Sequence, residues 1–117
     1  MGIVRGRPMK VRKVSLVPRT LHFSPRGKPG RPDEVELSLD QWEALRVGDW
    51  LGLSQTDGAK MMGISRASFG RILRLGRKKL ADALVHGKTI KIKEGNVQFQ
   101  NSAKSDLKSK TLRQRLR

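Results

Sequence analysis

The clearest apolar period in the chain runs from Phe69 to Ala83: Phe69, Ile72, Leu73, Gly76, Leu80 and Ala83 share one side of a helical wheel. Arg71, Arg74, Arg77 and Lys78 fall largely on the opposite side. The spacing predicts a long helix that starts after Ser65 and runs to Leu84 or Val85, one face for folding and the other for a polyanion. A shorter helix, about Gln55 to Met62, precedes it. Ser54 and Ser65 stand where helix N-caps belong, and Gly63 stands where a chain leaves a helix through the left-handed region. Residues 54–73 therefore read as helix, turn and helix. Gly58 disagrees locally, because glycine inside a helix costs roughly 0.5–1 kcal/mol relative to alanine unless another group needs the space.

Upstream, Val35, Leu37 and Leu39 alternate with Glu36 and Ser38, which predicts a brief extended segment. Ser38 and Gln41 then form a capping box for a first helix over residues 38–53. Trp42 and Leu45, with part of the Ala44, Val47 and Leu51 set, are expected to face the other helices. Core or interface packing is the expectation for both Trp42 and Trp50. Residues 11–17 read as a short strand with Val14 inward. The Pro- and Gly-rich stretch that follows is irregular, with Leu21 and Phe23 as anchors. Downstream, Thr89–Ile92 and Val97–Phe99 alternate around Glu94-Gly95-Asn96, which predicts a hairpin that can join the N-terminal segments in a minor sheet. The expected fold is mainly α: a three-helix core with short N- and C-terminal β segments. Its divisions are a basic arm with extended support at 1–34, the helix-turn-helix unit at 35–88, the hairpin at 89–99 and a basic flexible tail at 100–117.

Charge turns this architecture toward a partner. The 117 residues carry 26 Lys plus Arg against 10 Asp plus Glu, a formal net charge of +16. Such a balance predicts polyanion binding without specifying a fold. Residues 1–31 hold nine bases and no acid, whereas residues 32–60 hold seven acids against two bases. Residues 61–93 return to nine bases against Asp82 alone. No apolar run is long enough to span a bilayer, and no apolar segment follows the basic N-terminus as in a secretory signal. The expected location is the cytoplasm, at the nucleoid. With no cysteine, disulfides, thiolate catalysis and zinc fingers are excluded. His22 has no companion ligand at a useful spacing, His86 reads as a helix-end or solvated residue, and Glu43 and Asp49 do not share a helical face. No enzyme, metal or cofactor is expected.

Within the helix pair, Ser65, Arg66, Ala67, Gly70 and Arg71 are the candidate base-reading face in a major groove. Arginine pairs with guanine edges, alanine meets a thymine methyl, and Gly70 permits close approach. Gln55, Thr56, Arg74, Arg77, Lys78 and Lys79 are the candidate phosphate contacts. Arg5, Arg7, Lys10, Arg12 and Lys13 are the candidate arm for a minor groove or phosphate track. The expected partner is double-stranded DNA, bound by a homodimer, with RNA polymerase as a further contact and no membrane. Two alternatives stand beside this reading: an RNA-binding or ribosome-associated protein, and a protein-interaction module that docks through Trp42, Trp50 and the second helix.

The ordered motifs resemble a family of uncharacterised bacterial and archaeal proteins with a helix-turn-helix similar to the fourth region of sigma factors. The resemblance starts with GRPMK and includes FSPRG at 23–27, VELSLDQWEALR at 35–46 and DWLGLSQ at 49–55. It continues through MGISRASFGRIL at 62–73 and RKKLADALVHGK at 77–88, covering about three-quarters of the chain. Met9 interrupts what is commonly a more basic segment, and Gly58 stands where relatives commonly have another small residue. The resemblance implies DNA binding and transcriptional regulation by promoter or operator occupancy, with a recognition role for Ser65, Arg66 and Arg71.

Overall fold

The computed structural model describes residues 11–27, 30, 32–95 and 97–99. Among these residues, three helices and five short strands make a mixed α/β arrangement around a helical core, so the strands contribute more than the mainly-α expectation allowed. The strands are β1 (Arg12–Val14), β2 (His22–Phe23), β3 (Glu34–Ser38), β4 (Thr89–Lys93) and β5 (Val97–Phe99). The helices are α1 (Leu39–Ala44, continued by a π-helical segment over Leu45–Trp50), α2 (Gln55–Met62) and α3 (Arg66–His86).

The caps sit where local chemistry puts them. The Ser54 side chain accepts from the Asp57 N–H at 3.1 Å, and the Ser65 side chain accepts from the Ser68 N–H at 3.1 Å. Gly63 closes α2 at φ 69°, and Gly87 closes α3 at φ 64°. At α1 the Ser38 N–H donates to Gln41 Oε1 at 3.1 Å, the reciprocal half of the expected capping box. The Gln41 N–H is held by Asp40 Oδ1 at 2.9 Å, and the Ser38 hydroxyl also bonds the Asp40 carboxylate.

Two apolar clusters divide the interior. Ala44, Val47, Ala59, Met62, Phe69, Ile72 and Leu73 join the three helices, and Val14, Leu37, Leu39, Ile92 and Phe99 join the strands to α1. Leu45 packs against both clusters and so couples helices to sheets. Trp42 is half-buried against the strand cluster, as its apolar surroundings predicted.

The C-terminal strands do not form the expected hairpin. β4 lies between β3, which it pairs in parallel, and β2, which it pairs antiparallel, with Val35 opposite Ile90 and Phe23 opposite Ile90 on the other side. β5 leaves β4 and pairs in parallel with β1, Val14 opposite Phe99. The expectation that these segments join the N-terminal strands holds; the expectation that they pair with each other does not. Pairing inside a hairpin leaves one apolar face bare, whereas separate pairing buries Ile92 and Phe99 under α1. Phe23, expected as an anchor, is exposed on β2.

Of the core-or-interface expectation for Trp50, the core half fails: the indole is 82% exposed. In the π-helical stretch each hydrogen bond spans five residues, as in Leu51 N–H to Arg46 O at 2.8 Å, and the chain turns less per residue. The second indole, at the end of this segment, packs in neither apolar cluster.

Gly58 has a physical explanation in the same region. A Cβ built there would stand 2.6 Å from Phe69 Cζ and 2.8 Å from Phe69 Cε1, and the Phe69 ring is fully buried. Helix propensity favours alanine at this position by roughly 0.5–1 kcal/mol, but overpacking a closed core costs about 1–3 kcal/mol. The packing term is larger. Gly58→Ala is expected to lower the urea midpoint of unfolding with an unchanged slope; a raised midpoint removes the close-approach explanation.

Candidate nucleic-acid interface

The start of α2 is packed against α3. A Cβ on Gly70 would meet Gln55 Oε1 at 3.5 Å, ordinary contact distance, so the start of α2 lies beside the second turn of α3. Gln55, Thr56, Ser65, Arg66, Ala67, Arg71 and Arg74 are exposed there, with Gly70 half-buried between the helices. A side chain at Gly70 has room, so its glycine is not required by internal packing. Asp57 adds one acid to the same end of α2.

Hydrogen bonds order the start of α3. Ser65 and Ser68 join through their hydroxyls at 3.0 Å, and Arg71 Nη2 donates to Ser68 Oγ at 3.4 Å. The Arg71 guanidinium is thus drawn back toward the helix N-terminus, where free backbone N–H groups and cationic side chains together suit an anion.

The remaining cations named from the sequence separate into distinct settings. Arg77 forms a two-point ion pair with Asp49, Nη2 to Oδ1 at 2.6 Å and Nε to Oδ2 at 3.0 Å. The bond holds the Asp49 carboxyl below its ordinary pKa and raises that of Arg77. Asp49 occupies the Nε–Nη2 edge of this guanidinium and partly neutralises it, which leaves the Nη1 edge for a phosphate. Lys79 is half-buried and donates to Gln41 Oε1 at 3.1 Å, while Lys78 is exposed farther along α3.

Arg12 does not belong to an arm. It lies in β1 at 5% exposure, with its Nε 3.9 Å from Asp40 Oδ2, and is closed off from a groove. Lys13, the next residue, points the other way. Its aliphatic stem runs beside the turn between α2 and α3, 3.5 Å from where a Gly63 Cβ would stand. The strand alternation in β1 therefore sends one of two adjacent cations inward and brings the other to the helix pair. Arg5, Arg7 and Lys10 lie outside the described residues.

Sequence reasoning passed over Glu43 as anything more than an isolated acid. It is fully buried and accepts from Arg46 Nε and Nη2 at 2.8 and 3.0 Å and from the Ser15 N–H and hydroxyl at 3.1 and 3.0 Å. Its i,i+3 spacing to Arg46 was the available signal; the Ser15 contacts cross from β1's end to α1 and have none. The network anchors the N-terminal strand to the helices and thereby holds Lys13 at the turn.

The assembled unit is a capped helix pair, backed by α1 and by two small sheets, with a cationic patch at its open end. The chain belongs to the DUF134 family, a protein family of unknown function, whose model matches residues 1–100. It is similar to a UPF0251 protein of Caldicellulosiruptor bescii, 47% identical over 95 residues that cover 81% of this chain and 66% of that one. UPF0251 proteins of Prosthecochloris aestuarii and Ruminiclostridium cellulolyticum are each 44% identical, over 79% and 81% of this chain and 60% and 73% of theirs. The matched stretch thus spans roughly two-thirds of those relatives' length. No solved structure matches the chain. Among the described residues no helix is long and apolar enough to cross a membrane.

Proposed function

We propose that α2 and α3 form a helix-turn-helix similar to the fourth region of sigma factors and that the protein binds double-stranded DNA at selected sequences. The observation that carries this reading is the grouping of Arg66, Ala67, Arg71 and Arg74, all exposed on the first turns of α3, with Gln55 and Thr56 at the start of α2. An N-terminal stretch of this kind fits a major groove, with α2 crossing the backbone. Arg66 and Arg71 read base edges; Arg74, Gln55, Thr56 and Lys13 hold phosphates. Promoter or operator occupancy at the nucleoid, recruiting or excluding transcription machinery, is the mechanism. The exposed Trp50 and its neighbour Leu51 favour a second contact, with a protein of that machinery.

Selection of bound duplexes followed by gel-shift competition tests the proposal. Losing one bidentate base contact removes about 1–3 kcal/mol of discrimination, so Arg66→Ala or Arg71→Ala is expected to narrow the specificity ratio by about fivefold to 150-fold. Arg74→Ala is expected to weaken all duplexes alike and to reduce the salt slope by about one unit. Equal affinity for selected and scrambled duplexes at moderate salt defeats sequence reading, and tighter binding to structured RNA defeats the DNA assignment.

A further inference from the structure

The solvent side of α3 changes character halfway along. Its first turns are cationic, but Leu75 and Val85 are 46% and 74% exposed farther on, and an open hollow of about 540 Å³ lies along this second half. Leu75, Lys78, Asp82 and Val85 recur at steps of three and four and make one stripe. Neither charge belongs to the interior, and neither apolar residue touches the core.

This stripe is complementary to itself. Laid antiparallel on a second copy about a two-fold axis at Leu80, it sets Leu75 of each helix opposite Val85 of the other and Lys78 opposite Asp82. The repeat of one apolar and one ionic pair on both sides of the axis is what an isologous contact requires. A parallel arrangement sets Lys78 against Lys78 and Asp82 against Asp82, like charge on like. Asp82 already receives Lys88 Nζ at 3.0 Å and lies 2.7 Å from His86 Nδ1, one partner for each oxygen. Each carboxylate oxygen accepts a second donor, so Lys78 of the other copy can join without displacing either.

We propose that the second half of α3 is a homodimer interface, formed by antiparallel pairing of the Leu75–Val85 stripe with its copy. A spacing argument, which rests on the DNA-binding reading, agrees with it. At 1.5 Å per residue the middle of the Arg66–Arg71 segment is about 17 Å from the axis, so the two segments lie about 34 Å apart along the helices. Successive major-groove faces of one duplex repeat at roughly 34–36 Å.

The native chain has no cysteine, so single introduced thiols report the geometry cleanly. Full-length Leu75→Cys and Val85→Cys proteins are mixed without DNA, oxidised mildly and resolved by mass. The expected product is the mixed 75–85 disulfide, because equivalent positions lie about 15 Å apart along the paired helices. A predominance of 75–75 and 85–85 products overturns the antiparallel pairing. Cross-linking no greater than that of an exposed Lys60→Cys control overturns the interface altogether. In light scattering, Val85→Glu is expected to raise the concentration needed for dimer at least about tenfold, with the melting temperature of the isolated chain unchanged because Val85 is outside the core. Lys78→Glu is expected to do the same, and Lys78→Glu combined with Asp82→Lys to recover the dimer. A wild-type chain that scatters as a monomer at every concentration overturns the proposal. Pairing is measured without DNA, so its failure leaves the gel-shift result to be judged on its own.

Discussion

Replacing Glu43 by alanine is expected to cost about 3–5 kcal/mol, the range for leaving a buried charge without its partner. The Glu43 carboxylate is fully buried, and four donors converge on it from Arg46 and Ser15. Its removal leaves the Arg46 guanidinium, whose side chain is only 16% exposed, with no counter-charge. Against the roughly 5–15 kcal/mol that stabilises an ordinary domain, the loss is large enough to unfold a substantial fraction of the protein. Urea unfolding followed by circular dichroism measures it. Removing both charges with apolar replacements, Glu43→Leu with Arg46→Leu, is expected to cost less than Glu43→Ala alone, because no uncompensated charge remains. Equal losses in the single and double variants exclude the ion pair as the cause. An effect below about 1 kcal/mol, the level of an exposed pair, shows that water reaches the site.

Phe69→Ala is the other large effect, about 3–5 kcal/mol for truncating a fully buried aromatic ring. The ring fills the space between two glycines: Cβ atoms at Gly48 and Gly58 would stand 3.3 and 2.6 Å from Phe69 Cζ. Residues that close should couple, and the coupling has a predicted sign. With the ring present, Gly58→Ala is expected to destabilise; in the Phe69→Ala background, where the obstructing atoms are gone, it should stabilise through helix propensity and partial filling of the cavity. A double-mutant cycle with urea midpoints measures this reversal. Additive single effects mean that the ring does not dictate the glycine.

Both sites show where sequence reading reaches its limit. The Gly58 problem was legible as a conflict between a helical period and a poor helix former, but its resolution required a ring eleven residues away in another helix. Glu43 looked like one acid in an acidic stretch, because Ser15 approaches it only through tertiary packing. Arg12 and Lys13 looked equivalent within a basic run. Pairing of β1 with β5 decides that one is buried near Asp40 and the other lies beside Gly63.

By itself, the sequence determined the α2–α3 unit: Ser54, Gly63 and Ser65 bound the helices, and the apolar period of α3 selects its buried face. These are interactions between residues a few positions apart, so composition and spacing suffice to read them. It also determined that cations dominate the other face of α3. Tertiary structure alone decided that β4 and β5 take separate partners, that Trp50 at the end of the π-helical segment is exposed, and that Arg77 is engaged by Asp49 across 28 positions. Such pairings depend on which distant surfaces can be buried together, and a linear pattern does not specify that choice.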